Sequence, residues 1–395
     1  MASSPELRGA GEVFRAFLRL GLTSFGGPVA HLGYFRETFV ARRAWLTESA
    51  YAEVVALCQF LPGPTSSQVA MVIGLRRAGL LGLVAAWVAF TAPSVALMLV
   101  LARGVASISG TGGIVTGFKA AAVAVVALAV IEMARALAPD VRRASIALAA
   151  LVVSLLAGWS AVQIAVIAGA GVVGLFWLRG LVAGGEDVDT APPARVGRRL
   201  AWGALIVFAA LLTVVPILHG GAGQLFAAFY RAGALTFGGG HVVLPLLQHG
   251  VVDSGLVSAG DFLAGYGVAQ AMPGPLFSVA AYLGAVATSG PSGLAGAAIA
   301  VTAIFLPGAL LVVAVLPWWS AVRHDHRARS ALLGINAGVV GLLAAALWNP
   351  VIVDGIVSGA SAIIAVAAFV ALGRLRVPAW AVVIAAGVAG ALLAG

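Results

Sequence analysis

Arginine, hydroxyl and amide side chains stand beside glycine–proline breaks at four places in this 395-residue sequence. Near the start, Arg19 precedes Ser24-Phe25-Gly26-Gly27-Pro28, and Gln59 precedes Pro62-Gly63-Pro64-Thr65-Ser66-Ser67. Glycine and proline interrupt helices and leave backbone N–H groups without intrahelical partners. Where a helix resumes, those amides and the positive end of the helix dipole suit an anion. Thr65, Ser66 and Ser67 add three hydroxyl donors to the first turn after Pro64, which suits a small oxyanion. Arg19 sits in apolar sequence, where a charge is costly and points to function. The plainer reading is a side chain that snorkels to an interface or pairs with Glu53 or Asp261.

Both stretches return. Arg231, Thr236, Phe237, Gly238 and Gly239 follow Arg19, Ser24, Phe25, Gly26 and Gly27 by 212 residues. Gln270, Pro273, Gly274 and Pro275 follow Gln59, Pro62, Gly63 and Pro64 by 211 residues. Two motifs in one order, one residue out of step, indicate a duplicated chain. The copies differ after the second break, where Leu276-Phe277-Ser278 replaces Thr65-Ser66-Ser67. The first copy is therefore expected to make the principal ligand contact. Gln59 and Gln270 either line that site or bond between helices. His31, His241 and His249 are candidates for carrying protons, although a lone histidine is more often a satisfied polar group. Glu132 and Arg135 are spaced to pair on one helix, and Lys119, the only lysine, is expected to snorkel.

The elements that hold these motifs are membrane helices. The chain is 62% hydrophobic and 9% charged, with a mean hydropathy of +1.07. A soluble domain carries roughly 25% charged residues, so this composition cannot cover a water-facing surface. Apolar runs near the ~20 residues needed to cross a bilayer select helices over a barrel. Clean spans are expected at about 80–102, 118–137, 202–218, 294–316, 331–347, 351–372 and 377–394, with a shorter hairpin over 146–157 and 161–178 turning at Gly158-Trp159. The chain then divides into a first repeat, 1–178, a polar linker, 179–200, a connecting span, 201–225, and a second repeat, 226–395.

The +9 net charge fits Arg-rich cytoplasmic loops rather than nucleic-acid binding. If each broken stretch enters and leaves on one side, the loops holding Arg36, Arg42, Arg43, Arg76 and Arg77 share the cytoplasmic face with the N-terminus. In the second repeat the bias inverts: residues 241–261 carry no Arg or Lys, and the loop matching Arg103 holds Arg323, Arg327 and Arg329. The predicted fold is an all-α polytopic integral membrane protein. Its two homologous halves form an inverted-topology repeat with broken or re-entrant helices at the motifs. No removable signal peptide is expected, and the single Cys58 excludes an internal disulfide and a cysteine metal site. No nucleotide-binding lysine loop, zinc-protease motif or serine-hydrolase elbow occurs. No catalytic residue, metal or cofactor is therefore expected.

The combination FGGP…CQFLPGPTSSQ and TFGGGH…QAMPGP resembles the chromate ion transporter family in its long, two-domain form. By motif the resemblance covers about 13–103 and 226–316, and by layout the whole chain. It implies a bacterial inner-membrane carrier that expels chromate, with sulfate as competitor, built from two domains of opposite orientation. On that reading the candidate substrate contacts are the motif residues named above, with His241 and Ser278. The lipid bilayer is the other partner, and a homodimer is left open.

Overall fold

The computed structural model describes residues 5–107, 112–157, 162–181, 196–218, 220–238 and 240–393, and among them every regular element is helical. The turn at Gly158-Trp159, most of the 179–200 linker and Gly239 lie outside the described residues. The first helix, α1 (Pro5–Thr23), stops at the glycine break, and α2 (Gly27–Arg36) runs on into a wide π turn over Glu37–Arg42. Helix α3 (Glu48–Phe60) starts at Thr47, whose hydroxyl accepts the Ala50 N–H. Helix α4 (Thr65–Ser107) is bent: Ala78 and Gly79 leave helical geometry and divide a first arm, 65–77, from a second, 80–107.

These pieces form two re-entrant hairpins. Glu12, on α1, pairs with both Arg43, before α3, and Arg77, at the end of the first arm of α4. Gly9 also lies against Ala78. The start of α1, the α2–α3 connection and the end of the first arm therefore share one face. The chain goes in along α1, turns at Ser24–Gly27 and comes back along α2. It goes in again along α3, turns at Leu61–Pro64 and comes back along the first arm. Only the second arm crosses, rising ~42 Å at 1.5 Å per residue.

Helix α5 (Gly112–Leu137) returns to the starting face, and α6 (Val141–Leu156) with α7 (Val162–Trp177) makes a short hairpin. The Arg142 guanidinium donates to the Trp177 carbonyl, closing that hairpin at its Arg-rich end. Helix α8 (Arg198–Val214) then carries the chain across. The second repeat therefore starts from the opposite face, with α9 (Gly221–Leu235), α10 (Val243–Leu247) and a second π turn over Gln248–Val252. Next come α11 (Ala259–Ala269), capped by Ser258, and α12 (Val279–Ala285). Gly290 packs on Gly221, repeating the Gly9–Ala78 contact, and Thr288 donates to the Leu256 carbonyl. Helix α13 (Gly293–Val315) crosses back to a single turn, α14 (Trp319–Val322). There Arg323 pairs with Glu53 of α3, so the second repeat's arginine loop joins the first repeat's on one Arg-rich face. The hairpins of the two halves thus start from opposite faces, in keeping with the expected inversion.

The remaining helices are α15 (His326–Ala346), a one-turn α16 (Val353–Gly355), α17 (Gly359–Gly373) and α18 (Ala379–Leu393). The expected span over 351–372 is thus split, because the chain breaks at Ile356 before the Ser358 cap starts α17. The two terminal hairpins are exchanged. Helix α5 packs on α17 and α18 of the second repeat, and α15 packs on α6 and α7 of the first. Glycines allow the close approach: Gly117 meets the Ala386 backbone, and Gly334 meets Ala170 and Gly174. Among the described residues five helical stretches, α5 and those that hold α4, α8, α13 and α15, are long and apolar enough to cross a membrane. Among the described residues Glu132 and Arg135 form no ion pair, contrary to expectation: both are exposed at the end of α5. Glu53 is likewise not a partner of Arg19, since it is taken by Arg323 and by the Trp319 indole N–H.

Candidate functional site

The four hairpin tips meet at mid-depth and exchange backbone hydrogen bonds between repeats. The Gly63 N–H donates to the Thr236 carbonyl at 2.7 Å, and the Gly274 N–H donates to the Ser24 carbonyl at 2.9 Å. Each Pro-Gly-Pro tip therefore docks on the Gly-Gly tip of the other repeat. Only glycine suits these junctions. Gly63 has φ +125° and Gly274 has φ +95°. A Cβ on Gly274 would lie 3.0 Å from Ser94 Oγ, and one on Gly63 would lie 3.2 Å from Gly308 Cα. Ser94 stands in the middle of the second arm of α4 and Gly308 stands in α13, which sets the junctions well inside the spans. Gly240 and Pro28, equivalent in the repeat, touch each other between the two junctions.

This arrangement corrects one assignment from sequence. The Gly63 amide is not a free anion donor, because the Thr236 carbonyl takes it. The donors left at the tips are hydroxyls and the first amides of α2 and α4. Ser67 and Ser278 occupy equivalent places after the two Pro-Gly-Pro breaks. Both are fully buried, and neither hydroxyl has a protein partner among the described residues. Ser24 Oγ is also buried without a partner. A buried hydroxyl without a hydrogen bond is unfavourable, so these three are candidate contacts for a polar ligand. Ser66 is buried, Thr65 is half-buried at the α4 N-terminus, and Thr236 Oγ1 is satisfied by the Ala232 carbonyl.

The other residues named from sequence spread around this centre. Gly26 and Gly27 both adopt positive φ, and around Gly27 nothing would obstruct a side chain. Phe25 lies against Trp380 of α18, 6.4 Å between ring centres. Gly238 is hemmed in by Asn336 and Leu137, with Phe237 half-buried beside it. Arg19 is exposed on α1, away from the α4 contact made by Gly21. Arg231 lines a cavity of about 290 Å³ with Gln224, Gly250 and Ser254, toward the face opposite the arginines. Neither arginine is brought to a junction. Gln59 is exposed, whereas Gln270 is half-buried with its amide nitrogen unpartnered. His241 Nδ1 lies 3.0 Å from the Tyr266 hydroxyl.

Two further residues reach the tips: His31, read from sequence as a proton-carrying candidate and not as a substrate contact, and Asn336, which the sequence reading did not name. His31 is fully buried, its Nε2–H donates to the Ser24 carbonyl, and its Nδ1 has no partner. Asn336 on α15 reaches Gly238 with a buried, unpartnered Oδ1. The second could have been found: Gly117-Phe118-Lys119 repeats as Gly334-Ile335-Asn336, 217 residues on, which pairs the lone lysine with this asparagine.

A family profile described as chromate transporter matches residues 11–175 and again residues 223–391. The chain belongs to the chromate transporter family. The two matches within one chain coincide with the two structural repeats. Among curated relatives, a chromate transport protein of Pseudomonas aeruginosa is 30% identical, covering 97% of this chain and 92% of its own length. A chromate transport protein of Cupriavidus metallidurans is 29% identical over 84% of this chain and 80% of its own length. A probable chromate transport protein of Synechococcus elongatus is 27% identical over 85% and 83%. No solved structure matches the chain. Family membership and the apolar crossing helices together make this a multi-pass membrane protein of a transporter family.

Proposed function

We propose that this family member is a secondary active carrier that exports chromate, with sulfate as a competing substrate. The observation that carries the reading is the reciprocal junction: two equivalent, buried and unpartnered serines, Ser67 and Ser278, beside hairpin tips that dock across repeats. A tetrahedral oxyanion supplies the acceptors those hydroxyls lack. The α2 and α4 N-termini add oriented amides and positive dipole ends, with Thr65 and Ser66 on the first turn of α4. Gly26, Gly27 and Gly238 let backbone approach the ion, and Gln59 and Gln270 flank it. Arg19 and Arg231 contribute positive potential from outside the tips, and His241 and the two Pro-Gly-Pro breaks complete the shell.

Direction follows from charge. The Arg-rich face is assigned to the bacterial cytoplasm by the positive-inside rule, which puts the N-terminus there too. Moving a dianion outward down an inside-negative potential is favourable by about 2.3 kcal/mol per charge per 100 mV. Export then needs little or no proton coupling, whereas uptake of sulfate by the same path needs co-transported cations. The test is counterflow of labelled chromate in proteoliposomes under an imposed potential, with sulfate competition. Saturable, trans-stimulated flux that sulfate inhibits is expected. Non-saturable flux without trans-stimulation would make the protein an anion channel.

A further inference from the structure

The mouths of the two repeats differ in charge. At the Arg-rich mouth Glu12 pairs with Arg43 and Arg77, which ties α1 to the turn before α3 and to the end of the first arm of α4. The second repeat lacks the residues for this clasp. Gln224 stands 212 residues after Glu12, Ser254 stands 211 residues after Arg43, and Ser289 stands 212 residues after Arg77. All three replacements are neutral. Gln224, Gly250 and Ser254 instead line a cavity of about 290 Å³, and Arg231 is the only charged residue among the described residues that line it.

Arg231 is half-buried, whereas its counterpart Arg19 is exposed. Val215, Pro216 and Leu218, at the end of α8, wall its cavity. Among the described residues Arg231 has no hydrogen bond or ion pair, and Asp253 is bonded to His249 instead. Arg231 lies ten residues, ~15 Å, beyond the start of α9 and five residues, ~8 Å, short of Thr236 at the tip. A charge at that depth is costly unless water or a counter-ion meets it. The cavity has the room, since a liquid water takes only about 30 Å³. The Arg231 guanidinium offers a planar fork of N–H donors, which suits a tetrahedral oxyanion. Gln224 is half-buried with its amide unbonded among the described residues, while the Ser254 hydroxyl is already given to the Gly250 carbonyl. Gly220, just before α9, also lines the cavity and brings the positive end of that helix to it.

We propose that the Arg231 cavity is a second oxyanion subsite, separate from the hairpin tips and reached from the face opposite the arginines. Arg231 holds the ion through its fork and the Gln224 amide donates to it. An ion that leaves the tips toward that face meets this subsite before bulk solution, and sulfate on that side competes for it. The first repeat does not duplicate the subsite. Its arginine is exposed, and at its mouth the Glu12 carboxylate would repel an anion where Gln224 accepts one. The proposal rests on the oxyanion part of the functional reading.

The test reads occupancy rather than flux. In a Cys58→Ala background, Ala228→Cys places a thiol in the cavity wall, one turn before Arg231. The full chain is reconstituted in phosphatidylcholine vesicles, and labelling by an anionic methanethiosulfonate is timed in sulfate and in chloride of equal ionic strength. Sulfate well above its dissociation constant should slow labelling roughly 10-fold, and chloride should not. Arg231→Gln should remove the protection, Arg231→Lys should keep part of it, and Ser67→Ala with Ser278→Ala should leave it intact. Labelling that sulfate does not slow, or slows equally in the Arg231→Gln chain, overturns the subsite. Protection lost with the two serines also overturns it, because the ion would then sit at the tips. Protection that needs no sulfate and appears only with phosphatidylglycerol in the vesicles overturns it too, in favour of a lipid headgroup. Should the Ala228→Cys chain fail to insert, Ser254→Cys at the mouth gives the same readouts. Sulfate protection in a chain without chromate counterflow sinks the carrier reading and keeps the subsite; counterflow without protection does the reverse.

Discussion

The first and second hairpin pairs share their tips, their π turns and even the glycine contact at their mouths, yet among the described residues the second pair packs more extensively on α5 and α15. Leu263 and Gly267 are buried where Ala52 and Ala56 are exposed. Two segments with one sequence plan thus occupy different environments in one molecule. The difference lies in how the hairpins sit on α5 and α15, since the tips themselves dock in the same way in both copies. A second difference is local and chemical. Glu53 pairs with Arg323, whereas the matching position of the second repeat is Ala264. The Arg-rich side therefore has an ionic tie between repeats that the other side lacks.

The largest effect is expected at the junctions. Gly63→Ala and Gly274→Ala each force a side chain into a positive-φ position against packed atoms, and each should lower chromate flux more than 10-fold, with junction strain of at least about 1–2 kcal/mol. Equal damage supports a shared centre; a silent Gly274→Ala would confine the site to the first repeat. Glu53→Gln comes next. It removes the charge that ties Arg323 and the Trp319 indole to α3 in a largely buried place, and about 2 kcal/mol of stability should be lost, read as a lower melting temperature in detergent. A matching loss is not expected from Ala264→Ser.

Smaller effects separate ligand contacts from packing. Ser67→Ala and Ser278→Ala should each raise the half-saturating chromate concentration roughly 10-fold at unchanged protein level, as fits a hydrogen bond to a charged ligand of about 1.5–3 kcal/mol. An effect at Ser67 alone would restore the unequal sites that the sequence implies. The smallest contrast is between the caps of the exchanged hairpins, Asp140 on α6 and Ser358 on α17. Each change to Ala should cost about 1 kcal/mol in thermal or denaturant unfolding. The Asp140 carboxyl is held below the usual carboxylate range, first by the Arg143 backbone N–H and then by the Arg143 side chain. Its contribution is therefore present above the unfolded value of about 3.9 and lost as pH falls below it. The penalty of Asp140→Ala should shrink in acid, while that of Ser358→Ala should not.

Much of the site can be read from the chain because a glycine or proline break leaves a local signature. Gly26, Gly63, Gly238 and Gly274 all take positive φ, as the motifs require. Duplication then shows which breaks belong together, and the arginine bias orients them. The equivalence of Ser67 and Ser278 was visible too, but it was hidden by the loss of Thr65 and Ser66 in the second copy. Asn336 was missed because helices α5 and α15 lack a break to align on, and the register depends on one short Gly-x-Lys/Asn-Ala match.

Sequence by itself determined the membrane class, the duplication, the inversion and the four tips. These follow from hydropathy, from local backbone chemistry and from charge in the loops, each of which acts within a few residues. Tertiary structure alone decided that Gly63 and Gly274 dock on the opposite repeat and that α5 and α15 exchange their hairpins. Those outcomes depend on contacts between segments some 200 residues apart, where nearly every surface is equally apolar. Close packing of small residues and a few buried hydrogen bonds choose among them, and neither leaves a periodic trace in the chain.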